Sequence, residues 1–177
     1  MAIQSAKFKN ALRLVLKSEG GNDDDPNDEG GRTGQGILQS EYTKWLKAND
    51  LPNKDVWEMP DKHRDTIYCD KYWEPMKAEK MPLPIAYMVF DAAVNHGVGF
   101  APKALQKSLN VKVDGIIGNM TIAAANAIDT EVFRERFRAQ RWARMQSRPS
   151  FPSFKTGWEK RLNDVDRNVR AMLKLKG

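Results

Sequence analysis

Apolar residues recur every three or four positions along most of the chain, which is the spacing of one face of an α-helix. The first such pattern covers residues 8–16 and is followed by Gly20-Gly21, a pair that can end a helix. Further helices are predicted at residues 40–47, 61–73, 82–96, 102–109, 121–127, 130–145 and 158–173. Alternating strand-like patterns are nearly absent, so the sequence predicts a mainly α fold.

One segment departs from the helical pattern. Six of the twelve glycines lie between Gly20 and Gly36. Such a density of glycine predicts a tightly turning loop. We therefore expect a small β-hairpin near residues 22–38.

Length and composition limit the classes of protein that need consideration. The chain has 177 residues, which suits one compact domain or one domain with a small addition. A single cysteine, Cys69, excludes an internal disulfide framework and fits a reducing compartment. The apolar run at residues 11–16 is short and contains Arg13, so we expect no conventional secretory signal and synthesis in the cytoplasm.

Charge is separated along the chain. The net charge is +6, which favours an anionic partner such as nucleic acid, an anionic lipid or an acidic cell-wall polymer. Acidic residues crowd positions 23–29, whereas six arginines crowd positions 134–148. The arginine-rich helix is predicted to present a solvated face or to bind anionic wall polymers or outer-membrane lipid headgroups. No recognised DNA-binding motif supports nucleic acid.

The clearest candidate for chemistry is Glu19, which is expected at the end of the first helix. The helix dipole leaves partial negative charge there, which would raise the pKa of the carboxyl group, as a general acid near neutral pH requires. If the glycine-rich loop folds back, Asp28 and Thr33 would face Glu19 across a cleft and could hold a water. Asp25 is a rival for the water-activating role and a candidate substrate-binding residue. A carboxylic acid opposite a water-activating carboxylate is the arrangement of inverting glycosidases.

Simpler interpretations stay open at this point. Glu19 could be an ordinary solvated residue at a helix end, with the aspartates capping turns. A calcium loop does not fit, because its sixth position is Asp28 rather than glycine and its twelfth is Gly34 rather than glutamate. The two histidines, His63 and His96, have no metal-ligand spacing, so we expect no metal site.

The opening motifs resemble a known family. Glu19-Gly20-Gly21, Asp25-Pro26-Asn27-Asp28 and residues 30–37 are similar to the first motif of the phage and bacterial N-acetylmuramidases of glycoside hydrolase family 108. Downstream matches extend the resemblance over nearly the whole chain. They are Tyr68, Tyr72-Trp73, Phe90-Asp91, Val94-Asn95, Gly97, Leu105-Gln106, Asp114-Gly115, Gly118, Thr121 and Gly157-Trp158.

The resemblance implies a lysozyme-like helical fold and hydrolysis of the β-1,4 bond between N-acetylmuramic acid and N-acetylglucosamine. Glu19 is implied as the catalytic acid, and Asp28 and Thr33 follow by analogy with phage lysozymes. It further implies a catalytic region at residues 1–100 and a peptidoglycan-binding region at 101–177, packed as one compact unit. No cofactor is implied.

Three further residues are candidates for binding the substrate. Tyr72 and Trp73 could stack on sugar faces, although core packing is an equal alternative. Asn95 could donate to an N-acetyl group, or it could cap its own helix. The resulting hypothesis is a monomeric phage or prophage endolysin that acts on the cell wall or periplasm. Alternatives are a non-catalytic peptidoglycan-binding or secretion-assisting protein and a lytic transglycosylase.

Overall fold

The computed structural model describes residues 4–18 and 32–174, and the chain divides between Lys71 and Tyr72 into two compact units. Helices dominate the described residues, and the strands found there form a single two-stranded antiparallel sheet. The prediction of a mainly α fold with a small hairpin is therefore confirmed.

The described residues of the first unit include three α-helices and the hairpin. Its elements are α1 (Ala6–Leu16), β1 (Thr33–Gly34), β2 (Ile37–Leu38), α2 (Gln39–Ala48), a 3-10 turn (Val56–Glu58) and α3 (Asp61–Tyr68). Ser5 caps α1, because its hydroxyl accepts a hydrogen bond of 3.0 Å from the Phe8 amide. The apolar face predicted for this helix is buried at Phe8, Ala11, Leu12 and Val15.

The second unit is built around one largely buried helix. A π-helical turn (Cys69–Trp73) includes the boundary between the units, and a 3-10 turn (Ala78–Lys80) follows it. The α-helices of the second unit are α4 (Leu83–His96), α5 (Ala101–Leu109), α6 (Asn119–Ala127), α7 (Thr130–Gln146) and α8 (Phe151–Lys174). Residues 84–93 of α4 are all buried, because α5, α7 and α8 pack around that helix. The apolar stripe of α8 is buried at Leu162, Val165 and Val169, so it belongs to the core.

Several helix boundaries differ from the predicted ones. Helix α1 ends at Leu16, before the glycine pair. Helix α2 begins at Gln39, so Ser40 lies in its first turn instead of capping it. Helix α8 begins at Phe151 and includes Pro152, because proline is compatible with the first turn of a helix. None of the helices in the described part of the chain is both long and apolar enough to cross a membrane.

Candidate active site

Most of the predicted catalytic residues lie outside the described part of the chain. Glu19, Asp25 and Asp28 lie outside the described residues, whereas Thr33 lies in β1. The roles predicted for all four stay predictions.

A tight hairpin presents Thr33. Thr33 pairs with Leu38 and Gly34 with Ile37, so the turn consists of two residues. Both turn residues, Gln35 and Gly36, have positive φ values of 51° and 80°. Positive φ at both central positions is typical of the type I′ turn that matches the twist of a short hairpin.

Gly34 is required by the close approach of the neighbouring 3-10 turn. A Cβ atom at this position would lie 2.7 Å from the carbonyl oxygen of Val56, which is closer than real Cβ contacts. Because the obstacle is backbone, it cannot rotate away as a side chain could. The absence of a side chain at Gly34 therefore sets the spacing between the hairpin and residues 56–58.

Side-chain hydrogen bonds fix the hairpin against its surroundings. The Gln39 side chain accepts a 2.6 Å hydrogen bond from the Val56 amide and donates one of 2.9 Å to the Lys54 carbonyl. The turn residue Gln35 accepts twice, at its carbonyl from the Tyr68 hydroxyl (3.1 Å) and at Oε1 from Arg64 (2.5 Å). Side chains from α2 and α3 thus hold the position of Thr33.

An exposed tryptophan lies beside Thr33, and sequence reasoning missed it. The indole of Trp57 is 42% exposed and donates a 3.1 Å hydrogen bond to the Thr33 carbonyl. The guanidinium of Arg32 lies 4.2 Å from the centre of its ring and forms an ion pair with Asp55. The Trp57 amide, which bonds to Asp55, and the Arg32 charge lower the pKa of that carboxyl group. An exposed aromatic ring at a polar edge is a surface on which sugars can stack.

Of the predicted aromatic pair, Trp73 is in the core. Its ring is 1% exposed and meets Phe90 edge to face, with 5.3 Å between the ring centres. Tyr72, one residue earlier in the same π-helical turn, is half-buried. The sequence left core packing and sugar stacking open for these residues. The ring of Trp73 packs in the core and is not available to a sugar, and a stacking role for Tyr72 stays a prediction.

Asn95 lies at the wall of a small cavity near the end of α4. The cavity has a volume of about 160 Å³, and its wall also includes Arg144, Arg148 and Trp158. Whether Asn95 binds an N-acetyl group stays a prediction.

Asp91, on the same helix, has a different environment from Asn95. It is fully buried, with Arg161 Nη2 2.9 Å from its Oδ1 and Arg141 Nη2 2.7 Å from its Oδ2. The latter contact has the geometry of an ion pair rather than of an aligned hydrogen bond. Burial alone would raise the pKa of Asp91, but the two guanidinium groups hold it below its usual value. Asp91 is therefore an ionised structural residue.

His96 extends this buried cluster. The Arg141 Nε donates a 3.1 Å hydrogen bond to His96 Nε2. Burial and the Arg141 charge lower the pKa of His96 to about 3, so its ring is neutral at physiological pH. Because Nε2 accepts the hydrogen bond, the proton of the neutral ring is on Nδ1.

Three of the six arginines at residues 134–148 pair with carboxylates in the described part of the second unit. Arg134 contacts Glu131, Glu135 and Asp166, and Arg138 contacts Asp166 and Asn163. Arg141 is part of the Asp91 cluster. Arg148 lies beyond the end of α7, so five of the six arginines are on that helix.

Two other residues that the sequence singles out form specific side-chain contacts. Gln106 is buried and organises the Asp114-Gly115 turn, since its Oε1 accepts hydrogen bonds from both amides at 3.1 and 2.7 Å. His63 Nδ1 lies 2.8 Å from the Tyr42 hydroxyl. Within residues 4–18 and 32–174, no group of three or more histidine, cysteine, aspartate or glutamate side chains is arranged to hold a metal ion.

Comparison with known proteins gives two family matches in succession along the chain. Residues 12–97 match the family described as Glycosyl hydrolase 108, and residues 100–163 match the family described as Predicted Peptidoglycan domain. No curated protein matches the sequence. Among solved structures, SagA from Brucella abortus is 28% identical, with a TM-score of 0.79, and the alignment covers 93% of this chain and 94% of that one.

Proposed function

Because residues 12–97 belong to the glycosyl hydrolase 108 family, we propose that the chain is an N-acetylmuramidase whose general acid is Glu19. The coarser assignment, a glycoside hydrolase with a peptidoglycan-binding domain, follows from the two family matches. The observation that carries the finer proposal is that the family match includes Glu19-Gly20-Gly21, which resembles the start of the family's opening motif.

The proposed reaction uses one acid and one water. Glu19 protonates the oxygen of the β-1,4 bond between N-acetylmuramic acid and N-acetylglucosamine, and that bond breaks. Water attacks the anomeric carbon and transfers its proton to Asp28, with Asp25 as the alternative acceptor. The hydroxyl of Thr33 holds this water. The well-fixed hairpin supports this proposal, because a water-holding hydroxyl needs a rigid support.

Substrate binding is proposed for one exposed aromatic residue that the fold reveals and for residues that the sequence predicts. Trp57 supplies an exposed aromatic surface beside Thr33. Tyr72 and Asn95 retain the substrate-binding roles that the sequence predicts, whereas the ring of Trp73 is 1% exposed and packs in the core. We keep the functional division at residues 1–100 and 101–177, which is supported by the end of one family match at 97 and the start of the next at 100.

The proposed biological role is host lysis by a phage or prophage endolysin that works as a monomer. The protein would be made in the cytoplasm and would act on the cell wall or periplasm. Its basic C-terminal part would contact anionic wall polymers or outer-membrane lipid. Arg136, Arg144 and Arg148 are the arginines of residues 134–148 for which no carboxylate partner is found within the described residues.

Analysis of the reaction products tests the proposal. Purified peptidoglycan is incubated with the protein, and the released fragments are reduced with borohydride and identified by mass spectrometry. We expect fragments that end in reduced N-acetylmuramic acid. Fragments ending in N-acetylglucosamine would contradict the bond assignment, and anhydro sugars would show a transglycosylase. Binding to peptidoglycan with no release of sugar ends would show a non-catalytic wall-binding protein.

A further inference from the structure

A concave cationic cavity is formed by α5 and α7 within the second unit. Its volume is about 380 Å³, which is within the usual range for sites that bind small molecules or short peptides. Lys103 and Lys107 from α5 and Arg144 from α7 contribute its positive charges, and Gln140 contributes an amide. None of the catalytic roles proposed above involves this cavity.

The three cations are available to a ligand. In the parts of the chain that the structure describes, Lys103, Lys107 and Arg144 have no carboxylate within ion-pair distance, unlike Arg134, Arg138 and Arg141 on the same α7. Three positive charges that face one concavity repel each other unless an anion lies between them. The cavity is therefore electrostatically suited to a group with one or more negative charges.

Neighbouring groups orient two of the three cations, Arg144 and Lys103. The guanidinium of Arg144 lies over the ring of Phe100, 5.9 Å from its centre. The stem of Lys103 passes close to the backbone of Gly115, since a Cβ at that glycine would lie 3.4 Å from Lys103 Cε. These contacts limit the side-chain freedom that binding would otherwise have to remove.

His96 contributes a neutral polar edge and joins this cavity to a second one. The histidine and Arg144 also line the cavity of about 160 Å³ that contains Asn95, Arg148 and Trp158. With Arg141 bound at Nε2, the neutral ring presents an N–H donor at Nδ1. His96 and Arg144 therefore form a wall shared by the two cavities, whose linings include cations, amides and apolar rings.

We propose that this wall binds the carboxylates of the peptidoglycan stem peptide. The inference rests on the proposed function, because it assumes that the chain acts on peptidoglycan. The glycan strand carries no charges of its own that would require three unpaired cations, whereas the stem peptide combines carboxylates with small apolar side chains. A flat lipid surface is matched less well, because the charges line a concavity. Lys103, Lys107, Gln140 and Arg144 also lie within the match to the peptidoglycan domain.

A direct binding measurement tests the proposal with the full chain. The probe is a synthetic stem peptide, L-alanyl-γ-D-glutamyl-L-lysyl-D-alanine, and binding is measured by isothermal titration calorimetry. The cavity variant is Lys103→Gln with Lys107→Gln. The control, Lys155→Gln with Lys160→Gln, removes the same charge from exposed positions on α8. Circular dichroism verifies that both variants are folded.

We expect the cavity variant to lose at least tenfold in peptide affinity, and we expect the control to bind like the parent. Arg144→Gln should weaken binding in the same way. Methyl-esterified peptide should bind at least tenfold more weakly to the parent than the free peptide. Equal affinity of parent and cavity variant, or equal affinity for esterified and free peptide, would overturn the proposal. Vesicles of phosphatidylglycerol that bind only the parent, without peptide binding, would overturn it in favour of a lipid site.

A separate measurement distinguishes failure of this inference from failure of the proposed function. Glycan strands freed of peptides are offered to the parent and to the cavity variant, and the release of reducing ends is recorded. Equal release by both proteins, with peptide binding lost in the variant, supports both proposals. No release by the parent from either these strands or intact peptidoglycan would refute the muramidase proposal while leaving the peptide measurement valid.

Discussion

Asp91 and Arg141 form an ion pair in the interior of the second unit, with Arg141 Nη2 2.7 Å from Asp91 Oδ2 and side-chain exposures of 0% and 1%. Arg161 and His96 complete the cluster on either side. This buried cluster joins α4, α7 and α8, and its contribution to stability depends on every charge being compensated.

Removing the Asp91 carboxylate should therefore strongly destabilise the folded protein. In Asp91→Asn, two guanidinium groups lose their common counter-charge, and we expect a loss of about 3–5 kcal/mol in the free energy of unfolding. The matched control is Asp164→Asn, which disrupts an exposed pair with Arg167 and should cost less than about 1 kcal/mol. Urea denaturation followed by circular dichroism measures both. Similar losses in the two variants would contradict the structural role of Asp91.

Because the pKa of His96 is lowered in the folded protein, we expect the protein to lose stability in acid. An unfolded histidine titrates near pH 6.5, whereas burial and Arg141 lower the pKa of His96 to about 3 in the folded protein. The folded state thus binds fewer protons between these values, so the stabilising contribution is complete above pH 6.5 and declines as the pH falls towards 3. Since the ring is partly exposed, we expect a loss on the order of 1–2 kcal/mol between pH 7 and 4.5.

The variant His96→Gln isolates this effect. Glutamine can still accept the hydrogen bond from Arg141 but does not titrate. Denaturation at pH 7 and 4.5 should show that the variant loses less stability on acidification than the parent. The same pH dependence in both proteins would contradict the assignment.

We expect that adding a side chain at Gly34 causes a steric clash at the hairpin. In Gly34→Ala the added methyl group would meet the Val56 carbonyl at 2.7 Å, so the hairpin or the 3-10 turn must move. We expect a loss of about 2 kcal/mol or more in stability and reduced hydrolysis, because Thr33 would be displaced. In the comparison variant Gly157→Ala the methyl group meets no atom within 4 Å, and a gain of about 0.5–1 kcal/mol is expected in the middle of α8. Thermal denaturation of both variants tests the contrast, and equal changes would refute it.

We expect the exposed ring of Trp57 to contribute to substrate binding. If sugars stack on its exposed ring, Trp57→Ala should lower kcat/KM for peptidoglycan roughly tenfold through KM, whereas Trp57→Phe should retain most activity. The control is Phe154→Ala, which removes a ring that is 57% exposed on α8. Unchanged turnover in Trp57→Ala would exclude the stacking role. Equal losses in the alanine and phenylalanine variants would assign the effect to the hydrogen bond with Thr33.

The sequence predicts the helices well because their apolar period is strong, and it predicts the hairpin because glycine is concentrated there. It places the start of α8 too late, since Pro152 suggests a break although the first turn of a helix accepts proline. The residue types around residues 19–33 suggest an acid and a water site, and this part of the hypothesis comes mainly from the resemblance to a family.

Tertiary contacts are the part that the sequence could not supply. Asp91, Arg141 and Arg161 are far apart along the chain, so no local pattern shows that two arginines bind one carboxylate. Trp57 was missed for a similar reason, because its neighbour Thr33 is brought to it only by the folded hairpin. The one available signal was a tryptophan in the proline-bounded connector at residues 52–60.

The central claim is that Glu19 donates the proton that breaks the glycosidic bond. Glutamine has nearly the same shape as glutamic acid but cannot donate this proton, so Glu19→Gln isolates the chemistry from the fold. The matched control is Glu159→Gln, an exposed position on α8.

The most direct measurement is the initial rate of reducing-end release from purified peptidoglycan by the parent and both variants at equal concentration. We predict that Glu19→Gln reduces the rate by at least a thousandfold while retaining the parent's circular dichroism spectrum, and that Glu159→Gln leaves the rate unchanged. Release by folded Glu19→Gln at the parental rate would contradict the account.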